Sequence, residues 1–254
     1  MSATTGAGGF GFDDAVDAIA AQSRRLADVV ASSVLDTRVP STPKWVLRDL
    51  AHHIGTEQWY WSENVRAKNP DERSGGSLTQ LPPDSDLVAW LGWCTYSLLG
   101  ALRDAGPESP CWAWWSDPTP HTAGAVARHQ AQEVAVHRWD AEGSIGSSSP
   151  LPAALATDGV PEFIEVMVGP DVVALQGPIT LSALDTGGTW QVGAGADGAG
   201  AGYGAGPPPS RSAELSATAS DLVLMLYRRL PVPDVDVNGD PMLVASLLSL
   251  ADTS

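Results

Sequence analysis

From Asp14 to Val34, apolar side chains return at Val16, Ile19, Ala20, Leu26, Ala27 and Val30, the 3.6-residue period of an amphipathic helix. Ser41-Thr42-Pro43 reads as a second start. Thr42 can cap, Pro43 can take the first helical position, and the predicted helix runs through WVLRDLAHHIGTEQWYWSENVRA. A third helix is expected from near Asp84, carrying Leu87, Trp90, Leu91, Leu98 and Leu102 and ending at Ala105-Gly106-Pro107. A fourth starts near Thr119-Pro120, or at Thr122, and runs to Glu142. Four helices joined by loops predict a bundle over residues 1–148.

The texture changes after Gly143-Ser144-Ile145-Gly146-Ser147-Ser148-Ser149-Pro150, which reads as a flexible joint. FIEVMV at 163–168 looks like the end of a short helix. ITLSALD at 179–185 and TWQVG at 189–193 read as strands of a hairpin turned by Thr186-Gly187-Gly188. SDLVLMLYRRL at 220–230 begins with a cap and continues as an apolar helix, and a last helix is expected over 241–251. Residues 149–254 are thus expected to form a small α+β domain, and the whole chain an α+β protein with an N-terminal four-helix bundle. GAGADG, at 193–198, matches G-x-G-x-x-G, but the glycines and prolines after it leave no helix to receive a phosphate. We read it as a mobile surface loop.

Composition narrows the function classes. The formal charge is -16, and the 14 Lys and Arg form no basic run, so nucleic acid and anionic membrane surfaces are poor partners. The N-terminal residues lack the charged and apolar regions of a signal peptide, and no stretch approaches the ~18 apolar residues of a membrane span. Two cysteines, Cys94 and Cys111, make no disulfide framework and read as packing residues, so a cytoplasmic location is expected. Nine of the ten tryptophans precede residue 140, and all five histidines lie in the bundle region, so candidate chemistry belongs there.

In EVAVHRWDAE, Glu133 and His137 are four apart and share one helical face, so the pair can chelate one ion. A third ligand must come from another helix, where His52 and His53 stand mid-helix. Three N/O ligands and an open position are how catalytic zinc is held. On spacing alone a plain Glu-His surface pair fits as well.

WVLRDLAHHIG, Trp45 to Gly55, resembles the W-x-x-x-D-L-x-x-H-[LI]-G segment of the mycothiol-dependent maleylpyruvate isomerase family, a branch of the DinB-like metal-binding four-helix bundles. RHQAQEVAVHRWDAE, Arg128 to Glu142, resembles that family's second motif, R-R-x-x-H-E-x-A-V-H-R-W-D-A-E. DGVPEFIEVM, LDTGGTW, SDLVLMLYRRL and VNGD resemble its C-terminal domain. The resemblance implies His53, Glu133 and His137 as metal ligands, His53 being chosen over His52 because the ligand precedes [LI]-G. Glu57, one turn after His53, reads first as a solvated helix residue, with a fourth ligand or a nearby acceptor as the alternatives. Asp49 is either an orienting partner of His53 or a first-turn acid favoured by the helix dipole. Arg128-His129 stands where the family often has Arg-Arg, and Gln132 where it often has His; these neighbours are expected to shape the substrate pocket.

What the resemblance implies functionally is an enzyme with a divalent ion, zinc by default and Ni²⁺, Fe²⁺ or Co²⁺ by the same ligand set, and mycothiol as cosubstrate. A thiol bound as thiolate would attack a small electrophile, ending in cis–trans isomerisation or S-transfer. A non-catalytic binder of metal or thiol adducts and a metal-assisted hydrolase are the alternatives. Arg228 and Arg229, on the main helix of the second domain, are the expected cations for an anionic substrate, against a simpler role at a helix end. Arg138 and Asp140 are expected in helix-surface or interdomain ion pairs. The chain is expected to be a monomer or homodimer.

Overall fold

The computed structural model describes residues 9–76, 78, 80–193, 211–232 and 236–251. They form two compact units, one from residues 11–114 and 118–151, the other from Pro152 onward together with Trp115–Asp117. The glycine-rich segment read as a loop lies, from residue 194 on, outside the described residues.

The first unit is built from α1 (Phe12–Ser32), α2 (Leu47–Ala67), α3 (Leu87–Ala105) and α4 (Ala123–Ser144). α1 packs on α4 and α3, and α2 on α3 and α4. Their apolar faces meet in a core that includes Leu26, Leu47, Leu50, Ile54, Leu91 and Val134. α1 is amphipathic as its period predicts, burying Val16, Ile19, Leu26 and Val30. Gly55 permits the close approach of α2 and α3: a Cβ there would lie 2.1 Å from the Trp90 ring.

α2 corrects the expected start at Thr42-Pro43. Thr42 and Trp45 close a turn, with the Trp45 N–H donating to the Thr42 carbonyl at 2.8 Å, and Val39 N–H donates to Trp45 at 3.1 Å. This bridge, with Arg38 opposite Val46, keeps the chain extended to Val46. The helix then begins at Leu47, and the Asp49 carboxylate accepts the Val46 N–H at 3.0 Å. α3 opens from a short 3₁₀ turn at Asp84–Asp86 and ends at Gly106, whose φ is 75°. α4 starts with Thr122, whose hydroxyl accepts the Ala125 N–H at 3.3 Å, so the second of the two expected starts is the one used.

The segment after α4, expected as a flexible joint, is pinned. The Ser149 hydroxyl and N–H both donate to Glu142, at 2.7 and 2.9 Å. Arg138 donates to the carbonyls of Ser149 and Pro150.

In the second unit α5 (Ala153–Phe163) carries Pro161 and continues as a π-helical turn, Ile164–Val168. Proline lacks the N–H that would continue the regular ladder, which accounts for the wider turn after it. A four-stranded sheet of β1 (Ile179–Ala183), β2 (Thr189–Val192), β3 (Ala213–Ala217) and β4 (Asp236–Gly239) has the order β2-β1-β3-β4. β1 and β2 form the expected hairpin, with Leu181 opposite Trp190, and Gly187 at φ 74° in its turn. β1 and β3 are parallel, and β3 and β4 antiparallel. α6 (Ala219–Leu226) and α7 (Pro241–Leu250) complete the unit. α6 is capped by Thr218, with the Asp221 N–H donating to its hydroxyl at 3.1 Å, and it stops at Leu226. Arg228 lies beyond that end at φ 60°, so the two arginines do not sit on the helix as expected.

Among the described residues, no helix is long and apolar enough to cross a membrane. Cys94 and Cys111 are free and buried, and burial pushes both thiols up to about 12. They are packing residues, as expected.

Candidate metal centre

α2 and α4 face each other through residues spaced four apart. His53, Glu57 and Trp61 follow one another on α2, and His129, Glu133 and His137 on α4. The helices run in opposite directions, so His53 meets His137 at a ring separation of 4.9 Å, and Trp61 meets His129 at 5.9 Å. Between those rungs stand the two glutamates.

The first rung brings three donors together. His53 Nε2 is 2.9 Å from Glu133 Oε1, and His137 Nε2 is 3.3 Å from the same oxygen. One ligand atom from each residue lies within 4.8 Å of the others. Donors ~2.0–2.1 Å from a tetrahedral ion stand roughly 3.3 Å apart, so two imidazoles and a carboxylate in this arrangement fit a divalent ion. They are the three residues the resemblance implies. Trp45 walls the group, its ring 4.9 Å from that of His53 and stacked at 5.8 Å on that of His137.

His137 has a fixed orientation. Its Nδ1 donates to Asp140 Oδ2 at 2.9 Å, and Asp140 Oδ1 accepts from the Ser41 hydroxyl at 2.5 Å. A carboxylate only accepts, so Nδ1 carries a proton and Nε2 is the nitrogen that faces Glu133. Asp140 is fully buried, which corrects its expected place in a surface ion pair. The available signal was its position three residues after His137, on the same helical face. Ser41 gave no such signal.

Electrostatics bind these groups together. Burial pushes Glu133 up, but the charge of His137 and the hydrogen bonds of both histidines outweigh it and hold the carboxyl well below its ordinary value. Burial pushes His137 down, but the charge of Glu133 and the hydrogen bonds to Asp140 and Glu133 raise it to about 9. Glu57 is half-buried, and burial followed by the charge of Glu133 raises its carboxyl.

The other candidates take different places. His52 turns its ring to Trp90 of α3, edge-on at 5.9 Å, and stays outside the cluster. Asp49 spends its carboxylate on the first turn of α2, so the helix-start reading holds and the His53 reading does not. His129 is buried against Trp61 and lies 5.7 Å from the Trp114 ring, and Gln132 is fully buried. Arg138 is also fully buried, not on the helix surface: it donates to Gln22 at 3.0 Å and to Glu142 at 2.7 Å. In the second unit, Arg228 donates to the carbonyls of Leu248 and Ala251 near the end of α7, and Arg229 to that of Tyr227.

The model of the mycothiol maleylpyruvate isomerase N-terminal domain matches residues 16–142, half of the 254-residue chain. The chain belongs to the mycothiol maleylpyruvate isomerase family. The matched span runs from within α1 to Glu142, the end of the second motif, and includes all three donors. The fold is also that of a mycothiol-dependent maleylpyruvate isomerase, at a TM-score of 0.51, and of a histidine-to-alanine mutant of such an isomerase, at 0.55. Both crystal structures are 10% identical, with 84% of this chain and 87% of each of theirs covered. No curated protein matches the chain. Outside the family's N-terminal domain the likeness is therefore one of fold, an α+β arrangement with a helical first unit and a small four-stranded sheet.

Proposed function

We propose that this protein is a divalent-metal enzyme that uses mycothiol, or a closely similar small thiol, to attack a small electrophile. The observation that carries the reading is the convergence of His53 Nε2, Glu133 Oε1 and His137 Nε2 on one point, with Asp140 setting the tautomer of His137. A family named for a mycothiol-dependent isomerase supports the choice of thiol.

A divalent ion held by His53, Glu133 and His137 would supply the positive charge that lets a thiol ionise near neutral pH. The chain's own residues do the rest. Asp140 Oδ2 keeps the His137 proton on Nδ1. Trp45 shields both imidazoles from water on one side. Glu57, one turn from His53 on α2, is the proposed acceptor for the thiol proton. The thiolate then adds to an electrophilic carbon of the second substrate. Addition across a cis double bond turns it into a single bond, rotation follows, and loss of the thiol returns the trans isomer. Where the attacked carbon bears a leaving group, that group departs with its bonding pair and the new C–S bond remains in an S-conjugate.

Arg228 and Arg229 are the proposed cations for a carboxylated electrophile. Arg228 also ties down the end of α7, so removing it costs stability as well as substrate affinity.

The test is turnover of maleylpyruvate, and of an electrophile with a leaving group, with and without mycothiol and with and without zinc. The reading requires turnover that depends on both thiol and metal. Turnover without thiol would replace it with hydrolysis by metal-activated water, and metal binding without any turnover would replace it with a binding protein.

A further inference from the structure

The solvent face of α3 is unlike the rest of a chain carrying a formal charge of -16: from Leu87 to Leu102 it holds no charged residue. Asp86, Ala89, Trp93, Tyr96, Gly100 and Arg103 follow one another at alternating steps of three and four, the seven-residue repeat of a helix-pairing seam. All are exposed except half-buried Gly100, with Trp93 48% and Tyr96 78% exposed. Trp59 of α2 stacks on Trp93 at 4.8 Å and 22°, which fixes that ring in place. Gly92 and Gly100 have open space where a side chain would be. Asp86 and Arg103 form no ion pair among the described residues.

We propose that this face of α3 pairs with the same face of a second copy, antiparallel, about a two-fold axis between Trp93 and Tyr96. Reversal about that point maps the stripe onto itself. Asp86 then faces Arg103 of the second copy, Ala89 faces Gly100, and Trp93 faces Tyr96. Opposite charges meet at both ends, small residues flank the centre, and aromatic rings fill it. The glycines leave room for the rings of the other copy. A parallel pairing would set Asp86 against Asp86 and Arg103 against Arg103, so charge selects the antiparallel one. Elsewhere on so acidic a surface, two copies repel. The seam is roughly 25 Å long, at 1.5 Å per residue, so the contact is of the weak, concentration-dependent class.

Sedimentation velocity over a concentration series tests the pairing. A monomer–dimer equilibrium is expected, and Tyr96→Glu should weaken it by about tenfold or more, as loss of a central aromatic contact does. Arg103→Glu alone should also weaken it, and Asp86→Arg combined with Arg103→Glu should restore it. Both charged positions are exposed, so the charge-swap pair keeps the test decisive if Tyr96→Glu fails to fold by circular dichroism. A monomer at every concentration would overturn the proposal. So would a dimer indifferent to Tyr96→Glu in its folded form, or a swap that restores nothing.

Discussion

His137 Nδ1 stands 2.9 Å from Asp140 Oδ2, three residues further along the same helix, and this contact decides which nitrogen His137 offers to Glu133 and His53. Removing the carboxylate frees the imidazole to rotate and to move its proton. Asp140→Ala is expected to lower metal affinity by about 10–100-fold, the usual effect of losing such a partner. Titration with a competing chelator measures it, with circular dichroism to confirm folding. Unchanged affinity in a folded Asp140→Ala protein would mean that the orientation of His137 is set elsewhere.

A proton must leave when an ion enters. His137 is raised to about 9, so in chelator-stripped protein at neutral pH it carries protons on both nitrogens. An ion needs the Nε2 lone pair, so binding is expected to release about one proton per ion. Calorimetry in buffers of different ionisation enthalpy counts it. Binding with no proton exchange would show that His137 is neutral before metal arrives.

The buried Arg138–Glu142 pair predicts acid sensitivity in the first unit. Burial pushes Glu142 up, but the Ser149 hydroxyl, Arg138 and the Ser149 N–H outweigh it and hold the carboxyl below its ordinary value. A depressed folded-state value means stability that is fully present above the ordinary carboxylate pKa and lost as pH falls through the lowered one. Glu142→Gln is expected to cost about 3–5 kcal/mol at neutral pH, since it leaves a buried guanidinium without its counter-charge. Urea unfolding at several pH values should show the gap between native and variant closing on the acid side. A gap that stays constant with pH would contradict the assignment.

Much of the first unit was legible because its helices repeat at 3.6 residues and bury one face. The family resemblance at Ile54-Gly55 pointed to His53, the member of the His52-His53 pair that lies with Glu133 and His137. What failed depended on partners distant in sequence or on burial. The start of α2 moved from Pro43 to Leu47 because Val39 pairs back to Trp45, a contact no local pattern announces. Asp140 and Arg138 look like surface charges in a row of polar residues, and only the packing of α1 and the 38–46 turn encloses them. β3 and β4 passed unseen: β4 is four residues long with no buried position, so it shows no apolar alternation. The end of α6 was misplaced because Arg228 adopts a left-handed conformation that glycine would have signalled.

Gly55 predicts a packing defect close to the centre but outside it. Gly55→Ala would put a Cβ 2.1 Å from the Trp90 ring, forcing α2 and α3 apart or the ring aside. A cost of about 1–3 kcal/mol is expected, typical of overpacking. Thermal unfolding measures it, and the same stability in both proteins would mean that Trp90 moves freely.

Metal content decides the central claim. Elemental analysis of untagged protein, offered zinc and then freed of excess, should find close to one ion per chain in the native protein and none in folded His53→Ala or His137→Ala. Metal retained in both variants, or absent from the native protein, would contradict a centre built on His53, Glu133 and His137.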